Sequence, residues 1–182
     1  MAKVHLLPEQ ADDTRWKWTA DGLYSARSAC QLIFQGTVRA NYDMLILSSG
    51  TPRKCQMHAS LAIQGRCNTA DQLAKKNWLH TPICTLCQQQ PETALQLFGQ
   101  CYFTRQVWLA LTLRLNVQLT PPAADERNLE SWWFRLANGI SLLARRQVNS
   151  LVICTWWHIW KERNARIFKH KSATTLVVCS LI

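Results

Sequence analysis

Three cysteines constrain this chain more than any other feature. Cys84-Thr85-Leu86-Cys87 is a C-x-x-C turn, and Cys101 follows Cys87 by fourteen residues. Such a turn holds two thiolates close enough to clasp one Zn2+, and the third cysteine can close over the same ion. A four-coordinate structural site needs one more ligand. In a C-x2-C-x8-H-x4-C spacing that position is Gln96. A neutral amide oxygen is harder and less basic than an imidazole nitrogen, so Gln96 reads as a poor ligand. His80, just upstream of Cys84, or a water molecule is the expected substitute. The competing reading of Cys84, Cys87 and Cys101 is three small buried thiols, because free cysteine is commonly buried.

Around this knuckle the composition is globular. Of 182 residues, 48% are hydrophobic and 18% charged, with six Gly and six Pro, which sets disorder and collagen-like sequence aside. The length suits one domain, or one domain with an appendage. Lys and Arg number 21 against 11 Asp and Glu, a net charge of +10 that favours polyanionic partners such as RNA or DNA. The opening Met1–Pro8 has too short an apolar run for a secretory signal. Leu151–Trp160, the longest apolar stretch, falls short of the roughly 20 residues that span a bilayer. An intracellular protein with no membrane partner is expected, with nucleus and cytoplasm equally open, and its eight cysteines are expected as reduced thiols.

Catalysis is not expected. Polymerase and nuclease chemistry needs clustered carboxylates around metal ions, and the acidic pair Asp12-Asp13 lies in a polar leader without a strand-turn-strand context. No Gly-rich phosphate loop, Ser/His/Asp arrangement or H-E-x-x-H motif is present. The chain therefore lacks the polymerase and endonuclease carboxylate sets.

The expected fold is mainly α. Trp16–Tyr24 alternates bulky and polar residues around Asp21-Gly22 and predicts a short β-hairpin. Ser25 is placed as the N-cap of a helix over Ala26–Phe34. Further helices are expected over Arg53–Ile63, stopped by Gly65, and from Thr69 to about Asn77. A buried helix is expected around Val107–Leu115. Thr120-Pro121-Pro122-Ala123-Ala124 reads as a linker. Beyond it, Leu129–Ala144 and Val148–Lys169 read as a helical pair, the second carrying Trp156, Trp157, Trp160, Ile167 and Phe168 inward. The domain division is thus 12–118, a linker over 119–125, and a Trp-rich basic segment over 126–182. The apolar run Leu176–Val178 near Ile182 has no closing cap, which suggests a truncated product.

Several signatures occur in one order. They are Trp16-Lys17-Trp18 with Gly22-Leu23-Tyr24-Ser25, Pro52-Arg53-Lys54-Cys55, Gly65-Arg66-Cys67-Asn68-Thr69-Ala70-Asp71-Gln72-Leu73, the three cysteines with Glu92-Thr93, Val107-Trp108, and Trp157–Phe168. Over about residues 12–170 this set resembles the reverse-transcriptase zinc-binding domain of plant LINE-type (non-LTR) retrotransposons. The family's metal-site histidine falls on Gln96, and its aromatic positions after the proline fall on Met57-His58 and Ser60. The resemblance implies Zn2+ as cofactor, a structural Glu92, and a non-catalytic accessory module beside a reverse transcriptase supplied in trans. Nucleic acid would be held non-specifically by the basic run Lys161, Arg163, Arg166, Lys169 and Lys171. The tryptophans, at helical spacing, read as core more readily than as base-stacking faces. The alternative is a zinc-free helical protein-interaction domain or a non-functional retroelement remnant.

Overall fold

The computed structural model describes residues 15–26, 28–29, 42–117, 119–123 and 126–182, and the chain divides into two compact units, Met1–Ala40 and Asn41–Ile182. Asp12-Asp13 lies outside the described residues, as does the expected first helix beyond Ala29.

In the first unit the expected hairpin is a turn, not a strand pair. Trp16 N–H donates to Gly22 O at 2.7 Å and Gly22 N–H to Thr19 O at 3.2 Å, with Gly22 at φ +69°. Asp21 Oδ1 accepts from Leu23 N–H, and Thr19 Oγ1 donates to Leu23 O. These side chains take up backbone groups that a ladder would have used, a competition at which Asp and Thr excel. Tyr24 meets the Trp16 ring edge-on at 5.0 Å. Ser25 caps the following turn reciprocally: Ser28 N–H donates to Ser25 Oγ and Ser25 N–H to Ser28 Oγ.

The second unit consists of helices α1 (Tyr42–Leu47), α2 (Arg53–Ile63), α3 (Ala70–Lys75), α4 (Tyr102–Leu115), α5 (Leu129–Asn138), α6 (Leu142–Lys169) and α7 (Thr175–Ser180). A π-helical turn, Gln96–Gln100, precedes α4. The long α6 is the spine, against which α1, α2, α5, α7 and the π turn all pack. Its start corrects the expected boundaries: the helix begun at Leu129 ends at Asn138, and Ser141 Oγ then accepts from Ala144 N–H to start α6. A serine N-cap after Asn-Gly outweighs the continuous apolar pattern. No helix among the described residues is long and apolar enough to cross a membrane.

The core is a run of indoles. Trp108 of α4 lies 5.6 Å from Trp132 of α5, Trp132 lies 6.1 Å from Trp156 of α6, and Trp133 meets Trp156 edge-on at 5.2 Å. All four rings are fully buried and none can stack a base. Aromatic pairs of this kind each add about 0.5–1.5 kcal/mol beyond their area. Phe168, expected inside, is 72% exposed and lines an open groove facing the Trp78–Thr81 loop.

The described part of the stretch expected as a linker, 119–123, packs against the helices. Trp132 Nε1 donates to Thr120 O at 2.8 Å, Leu119 is buried, and Pro122 covers Gly99 so closely that a Cβ on that glycine would stand 2.5 Å from the proline ring. The segments before and after it therefore share one core.

Candidate metal centre

Two short-range devices shape the knuckle. On one side, Cys84 N–H donates to Gln90 O, Glu92 N–H to Pro82 O, and Ile83 bridges Pro91 in antiparallel fashion. Gln88, at φ +55°, returns its N–H to Cys84 O, so the C-x-x-C segment closes on itself. On the other side, Thr93 Oγ1 accepts from Gln96 N–H and starts the π turn. Cys101 N–H then closes it on Gln96 O at 2.6 Å. One hydrogen bond thus fixes both Gln96 and Cys101.

The sulfurs of Cys84, Cys87 and Cys101 lie within 4.8 Å of one another, with Cys84 and Cys101 buried and Cys87 half-buried. Cys84 Sγ and Cys101 Sγ are 3.8 Å apart. The Cys101 thiol, hydrogen-bonded to Cys84, holds the pKa of the latter down despite desolvation, with the N–H groups of Cys87 and Leu86 assisting. The same bond, with burial, pushes Cys101 up. The opposite shifts favour a single thiolate on Cys84, the form that binds a cation. Three thiol groups at one point, with no carboxylate among them, suit a soft or borderline ion such as Zn2+.

His80 is not part of this cluster. It is exposed, and its Nδ1 faces Trp78 O at 2.7 Å. Gln96 is, by contrast, 5% exposed, and its Nε2 donates to Cys87 Sγ at 3.3 Å. Its Oε1 is buried and has no hydrogen-bond partner.

Two arginines of α6 hold the knuckle to the spine. Arg163 Nη2 donates to Glu92 Oε1 at 2.7 Å and Nε to Oε2 at 3.3 Å, with both side chains almost fully buried. Glu92 Oε1 also accepts from Ala70 N–H and so caps α3 from a distance. Arg166 donates to Thr85 O and Leu86 O inside the C-x-x-C turn, and to Glu162 Oε1 at 2.7 Å. Its guanidinium covers the Phe103 ring at 4.7 Å. This corrects the expected phosphate-contact set. Arg163 and Arg166 face inward and are already paired, whereas Lys161, Lys169 and Lys171 are exposed. An ion pair between residues 71 apart leaves no local trace in the sequence.

His58 of α2 was also not evident from sequence. It is buried between Phe98, Trp157 and Trp160, with ring centroids 5.4–5.6 Å away, and neither ring nitrogen has a partner. Desolvation holds its pKa down at about 4.

Fold and site together define a mainly helical protein with a three-cysteine knuckle clamped to its longest helix. Residues 24–108 match the family model described as zinc-binding in reverse transcriptase, a span that contains all three cysteines and Gln96. With the sulfur cluster, this supports a reverse-transcriptase zinc-binding domain in that segment, and the match is to that accessory domain and not to a polymerase domain. No curated protein and no solved structure matches the chain.

Proposed function

We propose that the chain is a non-catalytic zinc-binding accessory module derived from the reverse transcriptase of a plant LINE-type retrotransposon, and that it contacts RNA or DNA without sequence preference beside a polymerase supplied in trans. The convergence of Cys84, Cys87 and Cys101 sulfurs within 4.8 Å carries the zinc half of this reading. Zinc staples the knuckle; in zinc-finger peptides such sites contribute roughly 10–16 kcal/mol. The nucleic-acid half rests on charge. With Arg163 and Arg166 paired internally, Lys161, Lys169 and Lys171 remain in solvent on a chain of net charge +10. A groove of about 670 Å³ runs between the Trp78–Thr81 loop and the end of α6, and it exposes Trp78 and Phe168. Lys76 lies 5.8 Å over the Trp78 ring. A cation beside an exposed aromatic face suits a stacked base and its phosphate.

The test has two arms. Purified protein should carry one zinc per chain, lost in Cys84→Ser. RNA and DNA binding should weaken steeply with salt, and replacing Lys161, Lys169 and Lys171 by Gln should flatten the log–log salt slope by roughly 2–3. Exposed Leu109, Leu113 and Leu176 favour the second reading, a protein-interaction domain. Binding absent even at low salt would select it.

A further inference from the structure

Gln96 stands where the knuckle needs a fourth ligand, and the geometry around it is that of a coordination corner. Two sulfurs each about 2.3 Å from one tetrahedral zinc lie about 3.8 Å from each other. Cys84 Sγ and Cys101 Sγ are separated by 3.8 Å. A sulfur and an oxygen at about 2.3 and 2.1 Å from the same ion lie about 3.6 Å apart. The Gln96 amide approaches Cys87 Sγ at 3.3 Å, close to that edge.

The oxygen of this amide is not otherwise accounted for. Gln96 is only 5% exposed, yet its Oε1 has no donor. A buried acceptor left without a donor is costly, so a partner for it is to be expected. Rotation about χ3 exchanges Oε1 with Nε2 and moves no other atom. The N–H side faces the Cys87 sulfur at 3.3 Å; for a cation among the three thiolates, the oxygen is the favoured occupant of that place. The backbone brings the residue there without freedom to withdraw, because Thr93 and Cys101 fix both ends of its peptide unit.

We infer that Gln96 is the fourth ligand of a site made of three cysteines and one glutamine, binding the ion through its amide oxygen after a half-turn of the carboxamide. This rests on the zinc reading above and adds that the site is closed, with no water corner. An amide oxygen is a weaker donor than imidazole, so the site is expected to bind less tightly than its histidine counterpart.

Cobalt(II) substitution tests this, because its d–d and thiolate charge-transfer bands report ligand number and exchange. The native full chain should take up one cobalt, and its bands should not move when free imidazole is added. Gln96→Ala should still bind cobalt, roughly 10- to 100-fold more weakly, and imidazole should now shift the d–d bands as it enters the vacated corner. Gln96→His should bind more tightly than native and also ignore imidazole. Imidazole shifting the native spectrum as it shifts that of Gln96→Ala would overturn the assignment and leave the zinc reading intact. No cobalt bands in the native chain would overturn both. Because the native response alone is decisive, misfolding of a variant does not rescue the idea.

Discussion

Replacing Arg163 by Met should destabilise the protein far more than any surface arginine would. The substitution keeps most of the side-chain volume and removes both donors to Glu92, whose side chain is 1% exposed. What remains is a buried carboxylate with Ala70 N–H as its partner. Removing one member of a buried ion pair costs about 3–5 kcal/mol, mostly the cost of the charge left behind. For a protein of this size that lowers Tm by roughly 6–20 °C, taking about 2–4 °C per kcal/mol. Glu92→Leu alone frees Arg163 and Ala70 N–H and should also destabilise. The double variant Arg163→Met/Glu92→Leu removes both charges and should recover most of the loss, short of about 1 kcal/mol for the uncapped N–H. Urea unfolding at pH 7 in excess zinc, read as midpoint and slope for the four proteins, measures the coupling. A single-variant loss under about 1 kcal/mol, or losses that simply add in the double variant, would refute the claim that this pair is dry and coupled.

Other outcomes follow from the same structure. His58→Phe should stabilise the fold, since it removes two unpartnered ring nitrogens from an aromatic pocket. In the native protein His58 has a folded-state pKa of about 4 against 6.5 when unfolded. The unfolded chain thus binds the extra proton between those values, and stability that is full above about pH 6.5 falls by about 3 kcal/mol as pH drops toward 4. Urea midpoints against pH should show this slope in the native chain and a flatter one in His58→Phe. Gly99→Ala should cost about 1–3 kcal/mol through overpacking against Pro122. Since Gly99 sits within the turn that joins Gln96 to Cys101, zinc affinity by competition with a chelator should fall as well. Arg166→Gln should weaken zinc binding by loosening the hold on Thr85 O and Leu86 O while leaving the salt slope of RNA binding unchanged.

What could be read from the chain was whatever nearest neighbours decide. The C-x-x-C spacing determines that two sulfurs meet, and the apolar period with its flanking Pro52 and Gly65 marks α2 over Arg53–Ile63. Ser25 and Thr69 were recognisable as helix starts for the same reason, although Thr69 makes no side-chain cap and its helix is capped by Glu92 instead. The tertiary structure decided which polar groups are spent inside. Along α6, Lys161, Arg163, Arg166, Lys169 and Lys171 look like one basic run. Only packing against a knuckle some seventy to eighty residues earlier separates the two inward arginines from the three outward lysines. Gln96 illustrates the same limit. Its residue type alone argues against a ligand, whereas a π turn closed by Cys101 N–H carries its amide to the sulfurs. Spacing along a chain determines local contacts because backbone geometry is short-ranged; the fate of a charge or an amide depends on which distant surface excludes water from it.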